Sequence, residues 1–512
     1  MHFGWLSIIP PIIAIVLALA TKEVISSLLI GILAGALIFT HGSPMSMIET
    51  TFAVMGERMA DNVNILIFLG LLGALVVIVT KGGGSAAYGN WAVKKIKTRR
   101  GASLATGILG CIIFIDDYFN CLTVGTVMKP VTDKHRISRA KLAYLLDATA
   151  APICIIAPVS SWGASVAGYI EEANIGNGMG TFIKAVPFNM YALLTIIMVV
   201  IVCTTKLQFG SMAKFEKNAI EKGDLFSNEA AAREETIDAY NKNGKVMDLI
   251  IPILSLIVFS ILAMIYTGGG FSGETGLFDS FGNCDSAFSL VLGSFGALIV
   301  TAVLYVPRKI LSFKEFFNCI GEGVKSMVGA DIILILAWTI GGICNSEHLG
   351  TGLYVGEIVS SGKFPVFILP MLIFVVAGFL GFATGTSWGT MALLIPIAGT
   401  ICTSPQTSHL ALPILGAILG GAVYGDHISP ISDTTILSST GAGCNHLDHV
   451  STQLVYATVV ASCSAVGYLL MGLIGGFALP FAVALGLMLL ALFIANKKGY
   501  EKMPIDYSNV NH

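Results

Sequence analysis

The sequence predicts an all-α polytopic membrane protein. It reads as two inverted-topology repeats with two re-entrant hairpins and two broken helices, about 11 transmembrane spans in all. Three observations carry this. The 512 residues are 55% hydrophobic and 12% charged, about half the charge usual in soluble domains, and mean hydropathy is +0.81. Basic and acidic connections alternate along the chain, as the positive-inside rule requires. Finally, the stretch GDHISPISDTTILSST, residues 425–440, sets two aspartates, a histidine, a proline and seven hydroxyls between apolar runs. Proline and dense polarity break a helix, and a break survives at membrane depth only where protein or a wet cavity satisfies the freed backbone.

Candidate spans in order are Trp5–Ala20, Val24–Thr40 and Asn64–Thr80. The first lacks a basic flank and a cleavage site and is expected to be a retained helix. Lys81 to Arg100 carries six basic residues and no acid, and Lys129 to Lys141 carries five against Asp133, so both connections should be cytoplasmic. Only 27 residues, Ala102 to Met128, lie between them. That is about 40 Å of helix, too short for two crossings of a ~30 Å core. A re-entrant hairpin with Ile115–Asn120 at its tip follows. Ala140 to Ile170 then crosses outward, interrupted by Pro152, Pro158, Ser160 and Ser161, to an acidic loop, and Pro187–Thr205 returns. Residues 1–205 form the first repeat, and 206–245, with nearly balanced charge, a cytoplasmic linker with helical pieces.

The second repeat with a final helix takes 246–495, and 496–512 form a cytoplasmic tail. Spans at Val246–Thr267, Ala287–Val306 and Ser326–Cys344 precede Phe364–Cys402, whose polar waist ATGTSWGT (383–390) marks the partner hairpin. Leu410–Thr440 crosses through the 425–440 break, and Ser451–Gly475 and Gly476–Ala495 complete the bundle. Pro158-x-Ser160-Ser161 aligns with Pro430-x-Ser432-Asp433. Ser161-Trp162-Gly163 recurs as Ser387-Trp388-Gly389, but in elements that do not correspond, so the repeat carries no weight.

Two groups of residues carry candidate chemistry. The first tip holds Asp116, Asp117, Tyr118 and Asn120; the second break holds Asp426, His427, Ser429, Ser432, Asp433, Thr434 and Thr435. Hard cations take oxygen ligands, and a carboxylate with hydroxyls and freed carbonyls supplies them. Intramembrane acids cost roughly 2.5–3.5 kcal/mol on insertion scales and mark functional sites by default. Na⁺ candidates are therefore Asp117, Asp426 and Asp433. His427 suits either pH sensing or a hydrogen bond to an aspartate. Ser160, Ser161, Thr386 and Ser387 are hydroxyl candidates at the remaining break and tip, with interhelical hydrogen bonding as the plainer alternative. Asp147 and Asp331 lie nearer the cytoplasmic boundary and are weak candidates, Asp147 being able to pair with Lys141.

Other classes fall away. Gly82-Gly83-Gly84 lacks the spacing and βαβ context of a nucleotide loop. No Lys/Arg-dense arm calls for nucleic acid. Ten scattered cysteines read as buried hydrophobes, and Val423 removes the GxGD pattern of an intramembrane aspartyl protease. Cys444, His446, Asp448 and His449 make too short a set for a metal centre. No Lys or Arg occurs at either tip or at the 425–440 break, which speaks against a dianionic solute.

GDHISPISDTTILSS, FIDDYFN and ATGTSWGT resemble motifs of the NhaC-type Na⁺/H⁺ antiporter family, a member of the wider ion-transporter superfamily, over most of the chain. The resemblance implies a multi-pass plasma-membrane protein, no enzyme, that exchanges cytoplasmic Na⁺ for external H⁺ by alternating access. Asp116 or Asp117 and Asp426 or Asp433 would handle the ions. It implies no cofactor beyond the transported Na⁺ and H⁺, and the bilayer as the main partner, with a homodimer left open. Some relatives couple Na⁺ or H⁺ to an amino acid or small organic acid, so a carrier of that kind is the alternative expectation.

Overall fold

In the computed structural model, every described element is a helix. The description covers all residues except 1–2, 22, 115–116, 159, 174, 177, 227–240, 242, 273–275, 277–279, 281–282, 352, 355–364, 403–406, 503–504, 509 and 512. The helices of the first half are α1 Ile9–Thr21, α2 Val24–Phe39, α3 Pro44–Asp61, α4 Val63–Lys81, α5 Gly84–Lys95, α6 Arg99–Ile112, α7 Asp117–Lys134, α8 Arg139–Cys154, α9 Ser161–Glu172, α10 Gly178–Ala185 and α11 Met190–Thr204. The short α12, Gly210–Lys217, leads to α13 Met247–Thr267, α14 Ser286–Tyr305, α15 Phe313–Cys344, α16 Leu369–Thr384, α17 Ser387–Cys402, α18 Ala411–Ile428, α19 Asp433–Ala442, α20 His446–Ile474 and α21 Ala478–Lys502.

Seven of these are long and apolar enough to cross a membrane, and up to ten segments qualify if each bent pair counts as one span. Among the described residues, fewer helices meet this test than the 11 spans expected. At the centre of the bundle helices are interrupted, and their pieces are shorter than a bilayer crossing. Two segments expected as loops are helical. The basic connection after Lys81 contains α5, and the stretch after Thr40 contains α3, which starts with Pro44 in its first turn and bends 118° from α2.

Burial sorts the helices. All residues of α8 are buried, and so is most of α18. The window of Ser408–Ile428 is 72% buried and that of Ala478–Lys497 only 22%, so α18 belongs to the protein interior and α21 presents its apolar side chains outward. One apolar core joins α8, α9 and α11 to α16, α17, α18, α20 and α21; a second joins α4, α7 and α8 to α13, α14, α15 and α19. The helix α8 takes part in both. Where α7 crosses α19, glycines replace side chains. A Cβ on Gly125 would lie 2.6 Å from the backbone of Gly441, and one on Gly441 would lie 2.5 Å from the Cys121 carbonyl oxygen. Small residues at such crossings let backbones touch, which is how helices associate in lipid.

At the end of the bundle that carries the basic connections, Glu216 of α12 is fully buried. It accepts from Arg99 Nη2 at 2.5 Å and from the Ser138 N–H at 2.9 Å, with Lys141 Nζ at 3.5 Å. Lys141 is therefore committed to Glu216, and the expected partner Asp147 is left to other groups. Burial pushes the Glu216 carboxyl up, but the Arg99 and Lys141 charges outweigh it and hold the group at about 2.

A carboxyl held below its ordinary 4.5 stabilises the fold fully above that value, and the contribution fades as pH falls toward 2. Glu216→Gln should cost on the order of 3–5 kcal/mol, because it leaves Arg99 buried and unpaired. In thermal unfolding of detergent-solubilised protein, its melting temperature should drop at pH 7, and the difference from the native protein should shrink as pH falls from 4.5 through about 2; equal melting curves at pH 7 would exclude this role. Cysteines placed at Lys97 and Lys134 should label from the same face of sealed vesicles, and labelling from opposite faces would remove the hairpin between them.

Candidate functional site

Helix interruptions bring the acids together. In the first half α8 stops at Cys154 and α9 starts at Ser161. Ser160 caps α9, accepting from the Gly163 N–H at 2.9 Å, while its hydroxyl donates to the Cys154 and Ala157 carbonyls. In the second half α18 stops at Ile428 and α19 starts at Asp433, with Ser432 as the cap, accepting from the Thr435 N–H at 3.2 Å. Both breaks thus end in a serine cap. The freed carbonyls of the second break find partners on α20: Gln453 Nε2 donates to the His427 carbonyl at 2.7 Å, and His446 Nε2 lies 2.7 Å from the Pro430 oxygen. The other breaks are α6–α7, where residues 113–114 are non-helical, and α16–α17, where Gly385 ends α16 with φ +69°. A Cβ on Gly385 would meet the Ile431 carbonyl oxygen at 2.4 Å, so this tip presses against the 429–432 break.

Each tip is tied to a break by a carboxylate. Trp162, second residue of α9, donates its indole N–H to Asp117 Oδ1 at 2.9 Å. Ser387, first residue of α17, donates to Asp426 Oδ2 at 2.8 Å, and Ser432 adds a further hydrogen bond to Asp426. Between the halves, the Tyr118 hydroxyl donates to Asp433, and the rings of Trp162 and Trp388 pack with centroids 4.9 Å apart. The repeated Ser-Trp-Gly therefore marks two segments that meet, a relation the linear comparison dismissed. Asp433 Oδ1 also accepts from the Thr434 N–H at 2.8 Å, and Thr434 and Ser432 share hydroxyl protons at 3.1 Å. Asp117 and Asp433 both stand in the first turn of their helices, where the helix dipole favours negative charge.

Asp147 is the residue that sequence reasoning underrated. It is fully buried in the middle of α8, and its Oδ2 accepts from Gln453 Nε2 and lies 3.3 Å from His449 Nε2 and 3.4 Å from the Thr435 hydroxyl. The charges of Asp433 and Asp147 both bear on Asp426. Three acids from three helices thus share one buried neighbourhood. A usable signal was present: His446, His449 and Gln453 recur at helical spacing on α20 and form one polar stripe.

Several candidates have other work. Ser160 caps, and Ser429 donates to the Phe382 carbonyl at 2.8 Å, anchoring the break to α16. Asn120 donates to the carbonyls of Gly110, Ile113 and Thr149 and ties α6, α7 and α8 together. His427 faces Tyr191, with Nδ1 3.0 Å from its hydroxyl, and Gln453 Nε2 joins its backbone carbonyl to Asp147. Ser161 opens α9, and Asp116 lies outside the described residues. Asp331 sits on α15, where that helix bends by 43°. His446 and His449 serve the break and Asp147, and among the described residues no group of three or more His, Cys, Asp or Glu is arranged to hold a metal ion.

A cavity of about 730 Å³ adjoins the acids, lined by Asp117, Tyr118, Asp433, Thr384, Thr386, Thr390, Trp338, Trp388 and, from α3, Arg58. Asp426 stands behind it, linked through Ser387. The tips and the 425–440 break hold no Lys or Arg, but α3, remote in sequence, adds Arg58 to the lining of this cavity.

Replacing Gln453 with Leu would leave Asp147 and the His427 carbonyl each short of a donor. Hydrogen bonds to charged groups contribute about 1.5–3 kcal/mol, so the variant should melt several degrees lower. Native melting would show that Gln453 does not support the site.

The sequence profile of the Na⁺/H⁺ antiporter family matches residues 153–473. A Haemophilus influenzae protein described only as uncharacterised is 40% identical over 508 residues, 96% of this chain and 95% of its own. The malate-2H⁺/Na⁺-lactate antiporter of Bacillus subtilis is 28% identical over 215 residues, 36% of this chain and 43% of that one. A second Haemophilus influenzae protein, described as an uncharacterised Na⁺/H⁺ antiporter, is 33% identical over 178 residues, 31% of this chain and 33% of its own. The profile match runs through both serine-capped breaks and includes Asp426 and Asp433, and on that breadth this multi-pass membrane protein belongs to the Na⁺/H⁺ antiporter family.

Proposed function

We propose that the protein is a secondary transporter that exchanges Na⁺ for H⁺ by alternating access at Asp426 and Asp433, with Asp117 and Asp147 in the same electrostatic neighbourhood. The observation that carries this is the cluster of buried carboxylates at helix breaks. Like charges confined together in low dielectric repel, and a bound cation or proton relieves them. Na⁺ and H⁺ then compete for one set of oxygens. Hydroxyls of Ser387, Ser432 and Thr434 lie around the pair and offer neutral oxygens to a cation. Family membership points to a transporter and away from an enzyme. The two interrupted helices and two tips meet where they could be exposed in turn by rocking of one bundle against the other.

A second reading, coupled exchange of an organic solute, is favoured by the cavity. About 730 Å³ is more room than an ion needs and lies within the ~300–1,000 Å³ range of small-molecule sites. The relative whose description names malate and lactate is consistent with it.

In proteoliposomes without organic solute, an imposed Na⁺ gradient should move protons. Asp426→Asn and Asp433→Asn, made singly, should reduce the signal to background in at least one case. Where one proton competes with one Na⁺, the apparent Na⁺ affinity should fall about tenfold per pH unit on the acid side. Undiminished exchange in both variants, or a Na⁺ affinity independent of pH, would remove this assignment.

A further inference from the structure

The cavity beside the acids lies toward one end of the bundle. Its lining includes Asn62, which precedes α4, Ala287, in the first turn of α14, and Cys344, which ends α15. The opposite ends of those three helices, Lys81, Tyr305 and Phe313, adjoin the basic connections. The lining also includes the exposed Ser346, so the cavity leads from Asp117 and Asp433 to the surface on that side. Asp147 is not among the described residues that line it.

Asp147 lies instead along the line where α8 meets α20. There Tyr144 packs on Tyr456 with ring centroids 5.1 Å apart, and Asp147 meets His449 and Gln453. The segment 206–222, which contains α12, crosses that line at the basic end. On its α8 side Glu216 is held by Arg99, the Ser138 N–H and Lys141. On its α20 side the Phe209 ring stacks on Tyr456 at 4.1 Å, and the Ser211 hydroxyl donates to the Ser451 carbonyl at 2.7 Å. Phe209 and Tyr456 are 5% and 0% exposed, so the stack excludes water from the line beneath it. The C-terminal tail pins the segment from outside. The Asp506 N–H donates to Glu221 Oε1 at 3.0 Å, Lys206 Nζ sits 4.6 Å from the centre of the Tyr507 ring, and the Arg99 N–H donates to the Asn511 carbonyl at 2.7 Å.

The two attachments differ in kind. Separating Glu216 from Arg99 and Lys141 would strand charges in a buried place, which is costly. The α20 side is a ring stack and a neutral hydrogen bond, and both can be exchanged for other partners at little cost. The weaker seam is therefore the one between the segment and α20.

We propose that the segment 206–222 is the gate of a second access route: it shuts the α8–α20 line over Asp147 and parts from α20 when the acids open toward the basic end of the bundle. The inference rests on the alternating-access reading above and adds the element that moves and the seam at which it moves. The structure is then the state open at the cavity and shut at the basic end, and Glu216 keeps the gate on α8 as α20 leaves.

The test uses full-length protein carrying Ser211→Cys and Ser451→Cys, reconstituted in proteoliposomes and bridged by a short bis-methanethiosulfonate reagent that dithiothreitol removes. Bridging, confirmed by intact mass, should slow solute-free Na⁺–H⁺ exchange at least tenfold, and dithiothreitol should restore it. Each single variant, treated in the same way, should keep its rate. Bridged protein that exchanges as fast as unbridged protein overturns the gate. A second measurement needs no variant. In the native protein in lipid nanodiscs, hydrogen exchange at the amides of 207–222 should differ at least threefold with and without saturating Na⁺ at one pH, because a gate opens in proportion to the state it closes. Equal exchange in the two conditions also overturns it. Failure of the cation reading shows separately: unbridged vesicles would then exchange no protons for Na⁺, while the hydrogen-exchange difference would still report the gate.

Discussion

Everything in this molecule follows from the cost of interrupting a helix inside lipid. Backbone groups released at a break have no water to turn to, so the protein must supply their partners. Here the supply comes from serine caps at 160 and 432 and from the His446–His449–Gln453 stripe of α20. Those polar groups, once assembled, also surround Asp147, Asp426 and Asp433. The same residues satisfy the backbone and give the buried acids their partners.

Packing explains why the arrangement is placed where it is. The helices that carry acids, α8, α18 and α19, are nearly or wholly buried, and the long uninterrupted helices surround them. A charged or hydrogen-bonding side chain is tolerable at that depth only behind such a jacket. Glycines at 125 and 441 bring α7 and α19 into backbone contact, and that contact sets Tyr118 against Asp433. Segments far apart in sequence meet through this bond and through the tilted contact of Trp162 with Trp388, so the candidate site belongs to neither alone.

Arg58 shows how an unremarkable surface helix can alter the chemistry of a distant site. Judged by the tips and the 425–440 break, the site is purely acidic. With α3 folded against α15, the cavity lining also includes Arg58, which is ion-paired with Glu57 and Asp61. Relatives with similar sequences and different cargo can arise through such peripheral contributions while the central acids stay the same.

Composition and pattern alone determined the all-helical membrane class, because hydropathy and charge are local properties that the bilayer reads directly. They also pointed to the two breaks, where Pro158 and Pro430 stand among serines that can cap a new helix; proline alone does not decide it, since Pro152, expected to interrupt its span, lies inside the continuous α8. The helix interruptions before Asp117 and before Ser387 were legible because polar residues amid apolar ones stand out. Contacts across long separations were left to the tertiary structure. Asp147 looked like a partner for Lys141, six residues away, until α12 brought Glu216 to that lysine and α20 brought His449 and Gln453 to the aspartate. Ser160, Ser429 and Asn120 have the right chemistry for ligands, yet which oxygen or nitrogen each one meets depends on neighbours that only folding selects. Arg58 reaches the cavity because α2 and α3 meet at 118°. No periodicity encodes that angle; the packing of α3 against its neighbours decides it.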